Sequence, residues 1–268
     1  MKKVFIYVFC LFLLVISFIY IKDYINNNKI DIKTIKTFIN NPIYKDNNSI
    51  NIEDITPVKI NTKNNDNNYL FYIYNTHQTE EYSSNNPYNL KVTTVTASLI
   101  LEEALKELGY NSLVEKRNVM DEVRKNGWDY PSTYTVTKSY VKEIKEKYPS
   151  IKYFIDIHRD GAPISSTRVS IGDISYAKIM FTIGKKRDNL NVNLSLVEKL
   201  REYLNNNYKG ILRNNFYRDD TSFNQELDNN MFLIEIGGQD NNLIDVYNSL
   251  NALAKAFNYL EEKWIIKL

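Results

Sequence analysis

Residues 151–161 read IKYFIDIHRDG. Ile151 to Ile157 form a nearly continuous apolar run, as in a strand covered on both faces, and the run ends on His158. A second run of the same kind, YLFYIYN (Tyr69–Asn75), is followed at once by His77, in NTHQTEEY. KIMFTIG (Lys178–Gly184) and MFLIEIGG (Met231–Gly238) are two more, and Asn111–Glu115 reads as a short strand. Helical patterns lie between them. One spans Leu90–Leu108 and is closed by Gly109 as a C-cap. Another opens at Ser132 and stops near Lys147, before Pro149. A third covers Leu190–Asn207, ending near Gly210, and an amphipathic one closes the chain over Leu243–Trp264. Strands alternating with helices predict an α/β fold, with a mostly parallel sheet covered by helices on both faces. In such sheets, sites form beyond the carboxyl ends of the strands.

The chain has two histidines, and both stand at such an end. If their strands are parallel neighbours, both rings project from one edge of the sheet. A single histidine there reads most simply as a hydrogen-bonded loop residue; two of two read as a shared function. Carboxylates accompany them. Glu80 and Glu81 follow His77 in its loop, and Glu235 is the penultimate position of the last apolar strand, in LIEIGG. A charge in a buried run is costly unless it is paired or working. Glu235 therefore either pairs with an arginine, such as Arg159 or Arg213, or does chemistry. Asp156 either orients an imidazole from behind or faces the other way.

Catalytic zinc takes three protein ligands and keeps one position open for water, whose pKa it lowers to about 7. His77, His158 and Glu80 (or its neighbour Glu81) supply two neutral donors and one negative charge. Glu235 is the separate carboxylate that takes a proton and passes it to a leaving amine. The pattern reads as metal-assisted amide hydrolysis. Cysteine–histidine catalysis is excluded, because Cys10 is the one cysteine and lies in an apolar N-terminal segment. No Gly-rich phosphate loop is present. Arg159 and Asp160 either grip substrate carboxylates or pair with each other. Asn224 and Gln225 either bind a peptide or shape a turn.

Val4–Ile21 is eighteen residues without a charge, preceded by Lys2 and Lys3. As a helix it spans about 27 Å, close to a bilayer core, and the flanking lysines put its N-terminus in the cytoplasm. The rival reading, a cleaved signal peptide, lacks a small-residue cleavage site. Lys22–Asn68 holds thirteen Asn and no Gly, as a polar spacer would. The expected organisation is a single-pass anchor (1–22), a linker (23–68) and an extracytoplasmic catalytic domain (69–268). The amide-rich polymer on that side of the membrane is peptidoglycan. A net charge of +2 gives no strong pull toward nucleic acid.

Five ordered pieces, YNTHQTEEY, FIDIHRDG, KIMFTIG, FNQELD and LIEIGGQDNN, resemble the motifs of the stage II sporulation protein P family, over Tyr69 to about Leu260. That family is related to the zinc-dependent N-acetylmuramoyl-L-alanine amidases of the three-layer α/β type. The resemblance maps the family's first histidine motif onto His77, Glu80 and Tyr82. It implies Zn2+, cleavage of the bond between muramic acid and L-alanine with or without a second activity on peptide cross-links, and septal wall thinning and engulfment during sporulation. It implies as partner a membrane-bound lytic transglycosylase, stage II sporulation protein D. Glu115–Tyr134 departs from the family: it carries Asp121 and Tyr134 where a His-Asp pair and a Tyr are frequent, and no histidine. A vegetative cell-wall amidase, and a catalytically inactive peptidoglycan-binding domain, are the alternatives.

Overall fold

The computed structural model describes residues 68–83 and 92–265, with side chains as far as Lys263. The expected anchor, the linker before Asn68 and the start of the first helical pattern at Leu90 lie outside the described residues. Among those described, no helix is long and apolar enough to cross a membrane.

Six strands form one sheet in the order β2-β1-β3-β8-β6-β7. They are β1 (Phe71–Tyr74), β2 (Ser112–Val114), β3 (Tyr153–Asp160), β6 (Ile179–Gly184), β7 (Phe216–Arg218) and β8 (Met231–Gly238). A separate hairpin pairs β4 (Arg168–Ile171) with β5 (Ile174–Ala177). The helices are α1 (Thr94–Glu107), α2 (Val119–Lys125), α3 (Thr133–Lys147), the single turn α4 (Ile164–Thr167), α5 (Leu190–Asn207) and α6 (Leu243–Ile265). Strands β2, β1, β3 and β8 run parallel. The KIMFTIG strand β6 runs against β8. The chain passes from β3 to β6 through the hairpin rather than a crossover helix, and a parallel return needs such a crossover. The hairpin, α2 and β7 are elements that hydrophobic periodicity does not reveal.

Strand alternation sorts the buried side chains into two faces. Phe71, Tyr153 and Phe232 meet Phe257 of α6, with ring centroids 5.5, 5.6 and 5.6 Å away. Removing that one ring would cost about 3–5 kcal/mol. On the other face Tyr72, Tyr74, Phe154 and Met231 pack with Val141 and Ile144 of α3. Helices therefore cover both faces, and the period places Asp156, His158 and Glu235 on the α3 side. The β3–β8 register slips between His158 and Asp160, an irregularity that re-aims side chains where a strand ends. Gly238 permits this close approach, since a Cβ there would stand 2.6 Å from the Ala162 carbonyl oxygen.

Candidate metal and catalytic site

β1 and β3 are parallel neighbours, with Tyr74 opposite Asp156, so the chain leaves both strands at one edge of the sheet. The loop after β1 is stitched in place. Asn75 donates to the Ile157 carbonyl at 2.8 Å and accepts from Ser98 of α1 at 2.9 Å. The His77 carbonyl accepts from the Thr94 hydroxyl at 3.0 Å and, closing a turn, from the Glu80 N–H at 3.2 Å. That turn brings the Glu80 carboxylate between the two imidazoles. Its Oε1 lies 3.2 Å from His77 Nδ1, and its Oε2 lies 3.6 Å from His158 Nδ1. One ligand atom from each of His77, Glu80 and His158 falls within 4.8 Å of the others. Glu81 is exposed, and its carbonyl accepts from Arg159 Nε. Geometry thus separates two neighbours that spacing left as alternatives.

Asp156 sits behind His158. It accepts from the Thr76 N–H at 2.8 Å and the Thr76 hydroxyl at 2.6 Å. Its Oδ1 lies 3.1 Å from His158 Nε2, although that nitrogen makes no aligned hydrogen bond. The near contact holds Nε2 inward and leaves Nδ1 toward Glu80. Tyr130 stacks on His77 at 5.0 Å, and the Tyr134 ring lies edge-on to it at 5.5 Å. Thr76 carries no sequence signal beyond its place next to His77, and Tyr130 carries none; their partners come from segments about 50 to 80 residues away.

Glu235 pairs in register with His158 across β3 and β8. It is five residues into an eight-residue strand rather than at its end. Its Oε2 is buried and has no hydrogen-bond partner. Neither expected arginine takes it: Arg159 reaches carbonyl oxygens of Glu81 and Asp160, and Arg213 pairs with Asp160. Burial, with the Glu80, Asp160 and Asp156 charges against the opposing influence of His158, pushes its carboxyl up to about 7. At Glu80 burial also raises the pKa, but hydrogen bonds from His158, His77 and the Arg159 N–H outweigh it and hold the group down at about 2. Burial opposes a charge on His158, yet Asp156, Glu80 and Glu235 raise its pKa well above the ordinary value.

Three carboxylates around two imidazoles leave this pocket short of positive charge, which suits a cation. Two histidines and one carboxylate is a donor set that zinc hydrolases use. Donor atoms about 2.1 Å from one tetrahedral zinc lie about 3.4 Å apart, so a set now within 4.8 Å would seat the ion after side-chain shifts of roughly an ångström.

Asn224 and Gln225, read from the sequence as binding a peptide or shaping a turn, both make hydrogen bonds within the protein. Gln225 is buried, accepts from the Gly184 N–H at 3.0 Å and donates to the Thr182 carbonyl at 2.8 Å. Asn224 takes a left-handed backbone, φ 63°, and donates to the Tyr134 carbonyl at 2.8 Å. Both pin a loop to β6 and α3. Arg159 and Asp160 do not pair through their side chains; Asp160 turns to Arg213.

With this geometry in view, a family model described as Stage II sporulation protein P (SpoIIP) matches residues 21–258. The stage II sporulation protein P of Bacillus subtilis (strain 168) is 29% identical over 201 residues, covering 70% of this chain and 50% of the relative. The chain thus spans about half the length of that curated relative. Two solved structures are similar. The CwlD amidase from Clostridioides difficile, in complex with the GerS lipoprotein, has a TM-score of 0.47 at 16% identity, covering 74% of this chain and 100% of that one. The N-acetylmuramoyl-L-alanine amidase AmiC2 of Nostoc punctiforme has a TM-score of 0.42 at 13% identity, covering 72% of this chain and 97% of that one.

Proposed function

The chain belongs to the stage II sporulation protein P family, and on that premise we propose that it is a zinc-dependent peptidoglycan hydrolase that cleaves the N-acetylmuramoyl-L-alanine amide during sporulation. The observation that carries the reading is one cluster: donor atoms of His77, Glu80 and His158 within 4.8 Å of each other, beside a buried carboxylate with a free oxygen, Glu235 Oε2. His77, Glu80 and His158 hold the metal. Bound there, zinc supplies Lewis acidity and brings water to a pKa of about 7.

The protein's own groups do the rest. The hydrogen-bonded, ionised Glu80 anchors both imidazoles. Asp156, fixed by Thr76, keeps His158 turned so that Nδ1 is the donor. Glu235, buried and in register with His158, takes the proton of the attacking water and delivers it to the departing amine nitrogen. The apolar segment Val4–Ile21 tethers the domain on the outer side of the membrane. A lytic transglycosylase of the stage II sporulation protein D type is the partner proposed, since removing stem peptides and cutting glycan strands act on one polymer.

Purified full-length protein is tested on isolated sacculi. Release of intact stem peptides with a free alanine amine, abolished by a chelator and restored by zinc, is the expected result. Products cut only within the peptide, or no soluble product, would overturn the assignment of the bond.

A further inference from the structure

Arg159 differs from the other arginines among the described residues. Arg117, Arg124, Arg168, Arg201, Arg213 and Arg218 each pair with a carboxylate. Arg187 spends its guanidinium on the Gly184 and Gln225 carbonyls and on Asn193. Among the described residues Arg159 has no carboxylate partner. Its Nε donates to the Glu81 carbonyl at 2.9 Å, and Nη1 reaches the Asp160 carbonyl only at 3.5 Å. Its backbone N–H donates to Glu80 Oε2 at 3.1 Å, which places the residue directly against the candidate metal cluster. The side chain lines a polar cleft of about 470 Å³, shared with the loop from Thr79 to Ser83 and with Gln239 and Asp240 just beyond β8.

We propose that this cleft seats the peptide stem of the substrate and that Arg159 binds a free carboxylate on that stem. The inference takes the identity of the ligand from the hydrolase reading above; the site itself stands on the geometry. A guanidinium fixed through Nε keeps its outer N–H groups for a ligand, and this planar fork matches a carboxylate. Glu81 and Asp240 also line the cleft. Arg159 is the one positively charged side chain among the described residues that line the cleft. The arginine therefore sets the sign of the preference as well as its size. A carboxylate held there anchors the leaving peptide beside Glu80 and His158.

The test is equilibrium binding to full-length protein carrying Glu235→Gln, which slows turnover by about 10²-fold or more but leaves the residues lining the cleft untouched. The two probes are N-acetylmuramoyl-L-alanyl-D-glutamic acid and its diamide, identical but for charge. The free acid is expected to bind about tenfold tighter than the diamide, the scale of a charge-assisted hydrogen bond. Adding Arg159→Gln erases or reverses the ratio, whereas Arg159→Lys keeps part of it, with zinc content and unfolding midpoint unchanged in both. Equal affinity for the two probes, binding of neither, or a ratio that survives Arg159→Gln would overturn the proposal. Failure of the hydrolase reading shows separately, as wild-type protein that prefers the acid but cleaves neither probe.

Discussion

Asp245 and Glu235 are both buried carboxylates, and the protein treats them in opposite ways. Asp245, in the first turn of α6, has both carboxylate oxygens engaged. It accepts from Arg168 at 2.6 and 2.7 Å, from the Ser175 hydroxyl at 2.6 Å, from Asn241 at 3.1 Å and from the Asn242 N–H at 3.2 Å. That network ties the β4–β5 hairpin to α6 and asks nothing of a ligand. Glu235 lies beside His158, within reach of the Glu80, Asp160 and Asp156 charges, with one oxygen unmatched. A satisfied buried charge is architecture; an unsatisfied one in a cluster of donors is held against the protein's own stability and suits chemistry.

Removing each group breaks the comparison in a different place. Glu235→Gln should lower kcat by about 10²- to 10⁴-fold, the usual worth of a general acid/base, while zinc stays bound. Retained activity would put Glu235 on the architectural side. Asp245→Ala should lower unfolding free energy by about 3–5 kcal/mol, the cost of breaking a buried pair, with the smaller figure favoured because Arg168 keeps partial solvent contact. Its kcat at a temperature where it remains folded should match wild type. A denaturant midpoint equal to wild type would show that the network carries no load.

A titration sharpens the same contrast. In metal-stripped protein the Glu235 carboxyl is pushed from 4.5 to about 7. Between those values the folded state holds the proton that the unfolded state has released, so wild-type stability should fall as pH rises from about 4.5 through about 7. Glu235→Gln escapes that fall and should gain roughly 3 kcal/mol on wild type by pH 8. Parallel pH profiles of the two proteins would mean that Glu235 ionises without penalty. The smallest effect expected is at Asp156→Asn, which weakens the grip on His158 from behind and should cost about 10- to 100-fold in zinc affinity; an unchanged affinity would leave Asp156 with only its Thr76 bonds.

The sequence and the structure agree where a run of apolar residues stops on a polar one. His77 and His158 were legible because strand ends mark themselves, and Glu235 because a charge inside MFLIEIGG is conspicuous. Period two then puts Asp156, His158 and Glu235 on one face once β3 and β8 are known to pair. What spacing leaves open is long-range. Choosing Glu80 over Glu81 depends on a turn that aims one carboxylate at two rings. Asn224 and Gln225 resemble exposed recognition groups until their partners on α3 and β6, some 40 to 90 residues earlier in the chain, are seen. The direction of β6 follows from a hairpin whose strands are too short and too polar to announce themselves.

The central claim is that His77, Glu80 and His158 hold zinc, and its most direct test is elemental analysis of purified full-length protein beside His158→Ala. The account predicts one zinc per chain in wild type and none in the variant. Zinc at full occupancy in His158→Ala, or a zinc-free wild-type chain that still releases stem peptides, would contradict it.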